Sequence, residues 1–214
     1  MYVGKGMNVK KTMIVGSIFI IICVFFLVGY NIFRYPTLFR SLNDYSLNAE
    51  QTEQIKQEIL SKEELTILVA YFSYSGTTQR VANEISEKTS GDLFEITPKT
   101  NYSNVYIESN MEIRNNARPE LASEVENMDA YDIVFVGYPV WFHATPALIN
   151  TFLESYNLEG KLIIPFCTSG ESDIDETMPT FLNSSKDLAV YGQSRISSVN
   201  QIESWLEELE ILKK

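Results

Sequence analysis

The most conspicuous pattern along the chain is a stretch of 22 residues without a charge, Thr12 to Phe33, built mostly from Ile, Val, Phe and Leu. As a helix rising 1.5 Å per residue it reaches across a hydrocarbon core about 30 Å thick, which predicts one transmembrane helix over about 12–33. The stretch runs out through Phe26-Leu27-Val28-Gly29-Tyr30 with no Ala-x-Ala exit, a pattern of an uncleaved signal anchor more than of a cleaved signal peptide. Cys23 reads as a small apolar side chain of that helix rather than a lipidation point, because the bulky Ile22 precedes it. Residues 1–35 are thus expected to be an anchor. Residues 36–64 follow as a polar linker, in which Asn48 stands ahead of Ile55, Ile59 and Leu60 and predicts a short amphipathic stem helix from Asn48 to Ser61.

Beyond the linker the pattern changes to short apolar runs alternating with helical ones. Leu65–Phe72 is almost continuously apolar, as a strand buried on both faces of a parallel sheet must be. Val81, Ala82 and Ile85 then share one helical face. Asp92–Ile96, Tyr131–Gly137, Lys161–Phe166 and the weaker Leu188–Tyr191 read as further strands. A helix is expected from Pro146 through Leu153. Ile202, Trp205, Leu206, Leu209 and Leu212 close the chain at helical spacing. Five strands with helices between them predict one doubly wound α/β domain over 65–214, and such sheets bind ligands beyond the carboxyl ends of their strands.

Charge sharpens the division. The 214 residues carry 17 basic and 28 acidic side chains, net -11, but residues 1–35 hold Lys5, Lys10, Lys11 and Arg34 and no acid. The remainder therefore sets 13 bases against 28 acids, net -15. Such an acidic body repels phosphate backbones and excludes sequence-independent binding to nucleic acid. Lys5, Lys10, Lys11 and the amino terminus ahead of the apolar stretch outnumber Arg34 and Arg40 behind it, which favours a cytoplasmic amino terminus and an extracytoplasmic body. Two cysteines and one histidine give neither a disulfide framework nor a Cys/His zinc site.

Three loops at the expected strand ends carry candidate chemistry. After the first strand, Ser73-Tyr74-Ser75-Gly76-Thr77-Thr78 sets four hydroxyls around a glycine at a helix start, where free N–H groups favour phosphate. It lacks the lysine of a triphosphate-binding loop and the second glycine of a dinucleotide turn, leaving a monophosphate. The same hydroxyls could equally serve only as helix caps. After the third strand, Tyr138-Pro139-Val140-Trp141-Phe142-His143 offers aromatic rings in a proline-stiffened loop, either for stacking on a flat heterocycle or as cover for the core. After the fourth, Thr168-Ser169-Gly170 supplies small polar groups and main-chain amides.

These three segments, Tyr71 to Thr78, Gly137 to Trp141 and Pro165 to Gly170, together resemble the flavodoxin-like superfamily, nearest to its flavodoxin_4-type branch, over about residues 65–212. The resemblance implies a parallel sheet of order 2-1-3-4-5 and FMN held without a covalent link. By position, Ser73, Ser75, Gly76, Thr77 and Thr78 would hold its phosphate. Pro139, Val140, Trp141 and Phe142 would border the ring system, with Trp141 stacking, and Thr168, Ser169 and Gly170 would meet its polar edge. It implies electron transfer with a redox partner protein or the quinone pool. Two other readings stay open: an FMN-dependent NAD(P)H:quinone-type oxidoreductase, and a binding module that kept the fold and lost the cofactor. His143 is either a proton-handling group or a solvated loop residue. Cys167, at the end of a buried strand, is expected to pack. Residues 98–118 form a long connection that either covers the site or lies exposed.

Overall fold

A computed structural model describes residues 5–184 and 187–212, with side chains from Thr12 onward; the side chains of Lys5, Lys10 and Lys11, which entered the orientation count, lie outside the described residues. Helix α1 runs Lys5–Arg34, and its segment Thr12–Arg34, mean hydropathy 2.7, is long and apolar enough to cross a membrane. Helix α2, Ala49–Leu60, begins on a reciprocal cap in which the Asn48 side chain accepts from the Gln51 amide and Gln51 accepts from the Asn48 amide.

Strand β1, Ile67–Tyr71, leads through the Ser73–Gly76 turn into α3, Thr77–Thr89, and then β2, Asp92–Glu95. Helix α4, Val105–Asn115, lies inside the long connection, which the sequence pattern left without an element. The reason is a polar buried face: Ser109 and Asn110 are buried beside Ile113, so no apolar stripe betrays the helix. Strand β3, Ile133–Pro139, α5, Ala147–Glu154, and β4, Leu162–Thr168, follow. The short α6, Met178–Phe181, precedes β5, Ala189–Val190, β6, Ser194–Arg195, and α7, Ile202–Glu208.

The sheet is parallel, order β2-β1-β3-β4-β5, as expected. The added strand β6 continues along β4 beyond β5, so the fifth position is filled by two short pieces, with Phe166 opposite Ser194 and Cys167 opposite Arg195. Alternation along the strands divides the core between the two sheet faces. Leu68, Ala70, Val134, Val136 and Ile163 pack with Leu148, Phe152 and Phe181 on one face. Ile67, Val69, Ile133, Phe135, Leu162 and Ile164 pack with Val81, Ile85, Trp205 and Leu206 on the other. Each such aliphatic side chain removed from water stabilises the fold by about 1.5–3 kcal/mol.

The polar linker is docked along its length. Tyr45 and Leu47 donate backbone bonds to Leu182 and Leu188, Ser46 bridges Leu188, and Ile59 of α2 is buried with the second core cluster. At the end of α1, Asn110 and Arg114 of α4 donate to the carbonyls of Phe33 and Ile32, each at 2.6 Å. Arg40 in turn donates to the Ile113 carbonyl at 2.5 Å. The last turn of α1 is therefore capped by the domain itself.

Candidate functional site

The carboxyl ends of β1, β3 and β4 bring the three loops together. At the first, Gly76 takes φ +82 with open space where a Cβ would stand, and α3 begins there without a side-chain cap. Its leading amides and macrodipole thus face a ring of hydroxyls. The Gly76 amide donates to Ser73 Oγ at 3.1 Å, and Ser75 and Thr77 pair their hydroxyls at 3.3 Å with both residues exposed. Thr78 differs: its buried hydroxyl pairs with that of Thr168 at 2.9 Å, tying the start of α3 to the end of β4.

The second loop is a two-residue hairpin turn. Trp141 and Ala144 exchange backbone bonds of 3.1 and 2.9 Å, and the residues between them, Phe142 and His143, take φ +51 and +58. Asn-Gly is the usual occupant of such a turn, so a Phe-His pair there stores strain of roughly 1–2 kcal/mol per residue. The strain aims both rings into a cleft of about 480 Å³ together with Val140, Trp141, Tyr74 and Tyr106. Trp141 is fixed edge-on by Phe72 at 5.1 Å, Tyr102 at 5.7 Å and Tyr74 at 6.1 Å.

Of the twelve residues singled out from sequence, Val140, Trp141 and Phe142 line this cleft. Pro139 ends β3 opposite Thr168 in the strand register. Ser169 Oγ accepts from the Glu171 and Ser172 amides and so shapes its own turn, while Gly170 is exposed. Ser73, Ser75, Gly76 and Thr77 form the neighbouring hydroxyl turn.

The cleft holds residues the sequence pattern did not single out. Ser109 comes from α4, beside Tyr106 of the 98–118 connection, Ser172 from the loop after β4, and Tyr30, Phe33 and Arg34 from helix α1. The length of the 98–118 connection was the one signal pointing to α4. His143 also lies here, and its hydrogen bonds define its state. Arg34 Nε–H donates to His143 Nε2 at 3.0 Å, so Nε2 is the unprotonated nitrogen; Nδ1–H then faces Glu176 Oε2 at 2.5 Å and Ser172 Oγ at 3.2 Å. The bond to His143 holds the Glu176 carboxyl below its usual range. Burial pushes the Cys167 thiol up to about 12, so it is neutral at physiological pH and packs rather than reacts.

A sequence profile described as Flavodoxin matches residues 66–209, most of the chain and all three loops. The chain belongs to the flavodoxin family. A candidate flavoprotein of Bacteroides eggerthii shares 35% identity over 70% of this chain and all of its own, with a TM-score of 0.64. One from Bacteroides uniformis shares 31% over 68% of this chain and 99% of its own, TM-score 0.62. A flavoprotein of Lactobacillus acidophilus, solved in complex with FMN, shares the fold at 24% identity over 66% of this chain and 99% of its own, TM-score 0.55. No curated protein matches the chain. In each of these structures nearly the whole protein corresponds to about two thirds of this flavodoxin, which also carries the apolar helix α1. Family membership supports FMN as the cofactor expected from the three motifs.

Proposed function

We propose that this chain is a membrane-anchored flavodoxin that binds FMN and passes electrons to and from a redox partner. The observation that carries the reading is one sheet edge where an uncapped helix start, ringed by exposed hydroxyls, adjoins a cleft walled by fixed aromatic rings. The first suits a phosphate monoester and the second a flat heterocycle. In the proposed assignment Ser73, Ser75, Gly76 and Thr77 hold the phosphate. Val140, Trp141 and Phe142 border the ring system, Pro139 stiffens the approach to them, and Ser169 and Gly170 lie at the ring's polar edge. Thr78 and Thr168 hold the two loops together through their shared bond. Bound FMN supplies one- and two-electron chemistry that no side chain has.

Addition of FMN to the purified protein tests this directly. The expected result is a bound flavin band near 450 nm and saturable quenching of flavin fluorescence; a protein that takes up no FMN overturns the proposal. We place α1 in the bilayer, with residues 1–35 as the anchor, 36–64 as a docked stem and 65–214 as the redox domain. The lysines ahead of α1 favour a body outside the cytoplasm. Protease added to intact cells is expected to remove the body; a protected body reverses the orientation.

A further inference from the structure

The anchor helix forms part of the redox cleft. Phe25, Phe26, Gly29, Tyr30 and Phe33 border an apolar groove of about 420 Å³ along α1, and Tyr30 and Phe33 also line the main cleft. The two depressions meet at those residues. Eight residues at 1.5 Å each set Phe25 about 12 Å along the helix from Phe33, so in a membrane-spanning α1 the groove rises out of the hydrocarbon into the cleft. At the meeting point Phe33, Tyr106 and Phe142 form a ring cluster, with centroids 5.9, 5.5 and 5.1 Å apart. Next to it lie polar groups: Arg34, which bonds to Tyr30, His143 and Tyr35 and carries five N–H donors in all, and Ser172.

A ligand matching these features has an apolar tail for the groove, a flat head for the rings and carbonyl oxygens for Arg34. A nicotinamide dinucleotide matches poorly, because Arg34 is the one Lys or Arg among the lining residues to meet its diphosphate. We propose that the groove and its mouth on the cleft, where Phe33 and Tyr106 stand beside the proposed flavin site, bind a lipid-dissolved quinone, delivered from the bilayer along α1. This rests on the anchored FMN reading and names its membrane-side partner. The exchange balances without another reactant: a quinol gives up two electrons and its two O–H protons to become the quinone, and the oxidised flavin takes up both.

The test uses the full-length protein, loaded with FMN, in lipid nanodiscs. An azido-benzoquinone photolabel is expected to attach within residues 25–34 and to be competed saturably by decylbenzoquinone. A Cβ at Gly29 meets nothing within 4 Å, so Gly29→Trp fills the groove without disturbing the fold. It is expected to weaken quinone binding at least about tenfold with FMN affinity unchanged, and Tyr106→Ala to weaken it from the domain side. Label spread without saturation, or the same quinone affinity in both variants, overturns the quinone site while leaving FMN binding intact. Saturable, Gly29-sensitive quinone binding in a protein that takes up no FMN keeps the site and removes the flavin reading instead.

Discussion

Two threonines that look equivalent in the sequence have different roles in the structure. Thr77 is exposed in the hydroxyl turn, whereas Thr78 is buried against Thr168. Thr77→Ala is therefore expected to weaken FMN binding in a fluorescence titration with the melting temperature unchanged. Thr78→Ala is expected to cost about 1–3 kcal/mol in chemical denaturation, because it leaves the buried Thr168 hydroxyl without this partner. The hairpin turn gives a second comparison. Asn tolerates the left-handed conformation that His143 adopts and a β-branched residue does not, so His143→Val is expected to be less stable than His143→Asn by about 1–2 kcal/mol. Both variants lose the imidazole, so the left-handed backbone dominates the difference, and the polar neighbours Arg34, Glu176 and Ser172 add to it by favouring Asn. That hydroxyls, glycine and aromatic rings gather at the strand ends was legible from residue types alone, and holding a phosphate and a flat ring is their proposed use. Which hydroxyl faces outward was not, because that depends on the separation of β4 from α3, and nothing local to Thr77 or Thr78 encodes it.

Strands were the most legible elements, since burial on both faces leaves continuous apolar runs, and β1, β3 and β4 lie within a few residues of their expected limits. Helix α4 was hidden by its polar buried side, the same side from which Asn110 caps α1. Packing between strands sets its own limits. Gly137 lies opposite Phe166 in the register, and a Cβ there would stand 2.1 Å from the Phe166 ring. Gly137→Ala is accordingly expected to destabilise by about 1–3 kcal/mol, measured by denaturant titration. The start of β1 is held by Asp132. Burial alone would raise its carboxyl, but Lys62 at 2.6 Å and two bonds from Thr66 at 3.0 Å outweigh that and lower it. A carboxylate lowered on folding stabilises above its unfolded pKa of about 3.9 and loses that effect as pH falls through its lower folded value. The melting temperature of the native protein should thus exceed that of Asp132→Asn at pH 7, with the gap closing on acidification toward pH 3.

For the whole molecule, the basic head and the body of net -15, from 13 bases and 28 acids, would meet different partners in the proposed reading. The acidic body suits a basic soluble carrier. Electron exchange with such a carrier is expected to slow as ionic strength rises, in stopped-flow measurements from 10 to 300 mM salt, because steering between exposed charges is screened within about 10 Å at 0.1 M. The cleft, by contrast, is walled in part by the apolar helix. The bonds from Asn110 and Arg114 to the last carbonyls of α1 bear on motion as well as on stability. A domain on a loose tether tumbles, and its flavin sweeps a hemisphere of solvent. With α1 in the bilayer as proposed, the domain and the helix would turn together like a key and its shaft, and a bound flavin would keep a fixed height above the membrane. Its meetings with membrane partners then become a search in two dimensions.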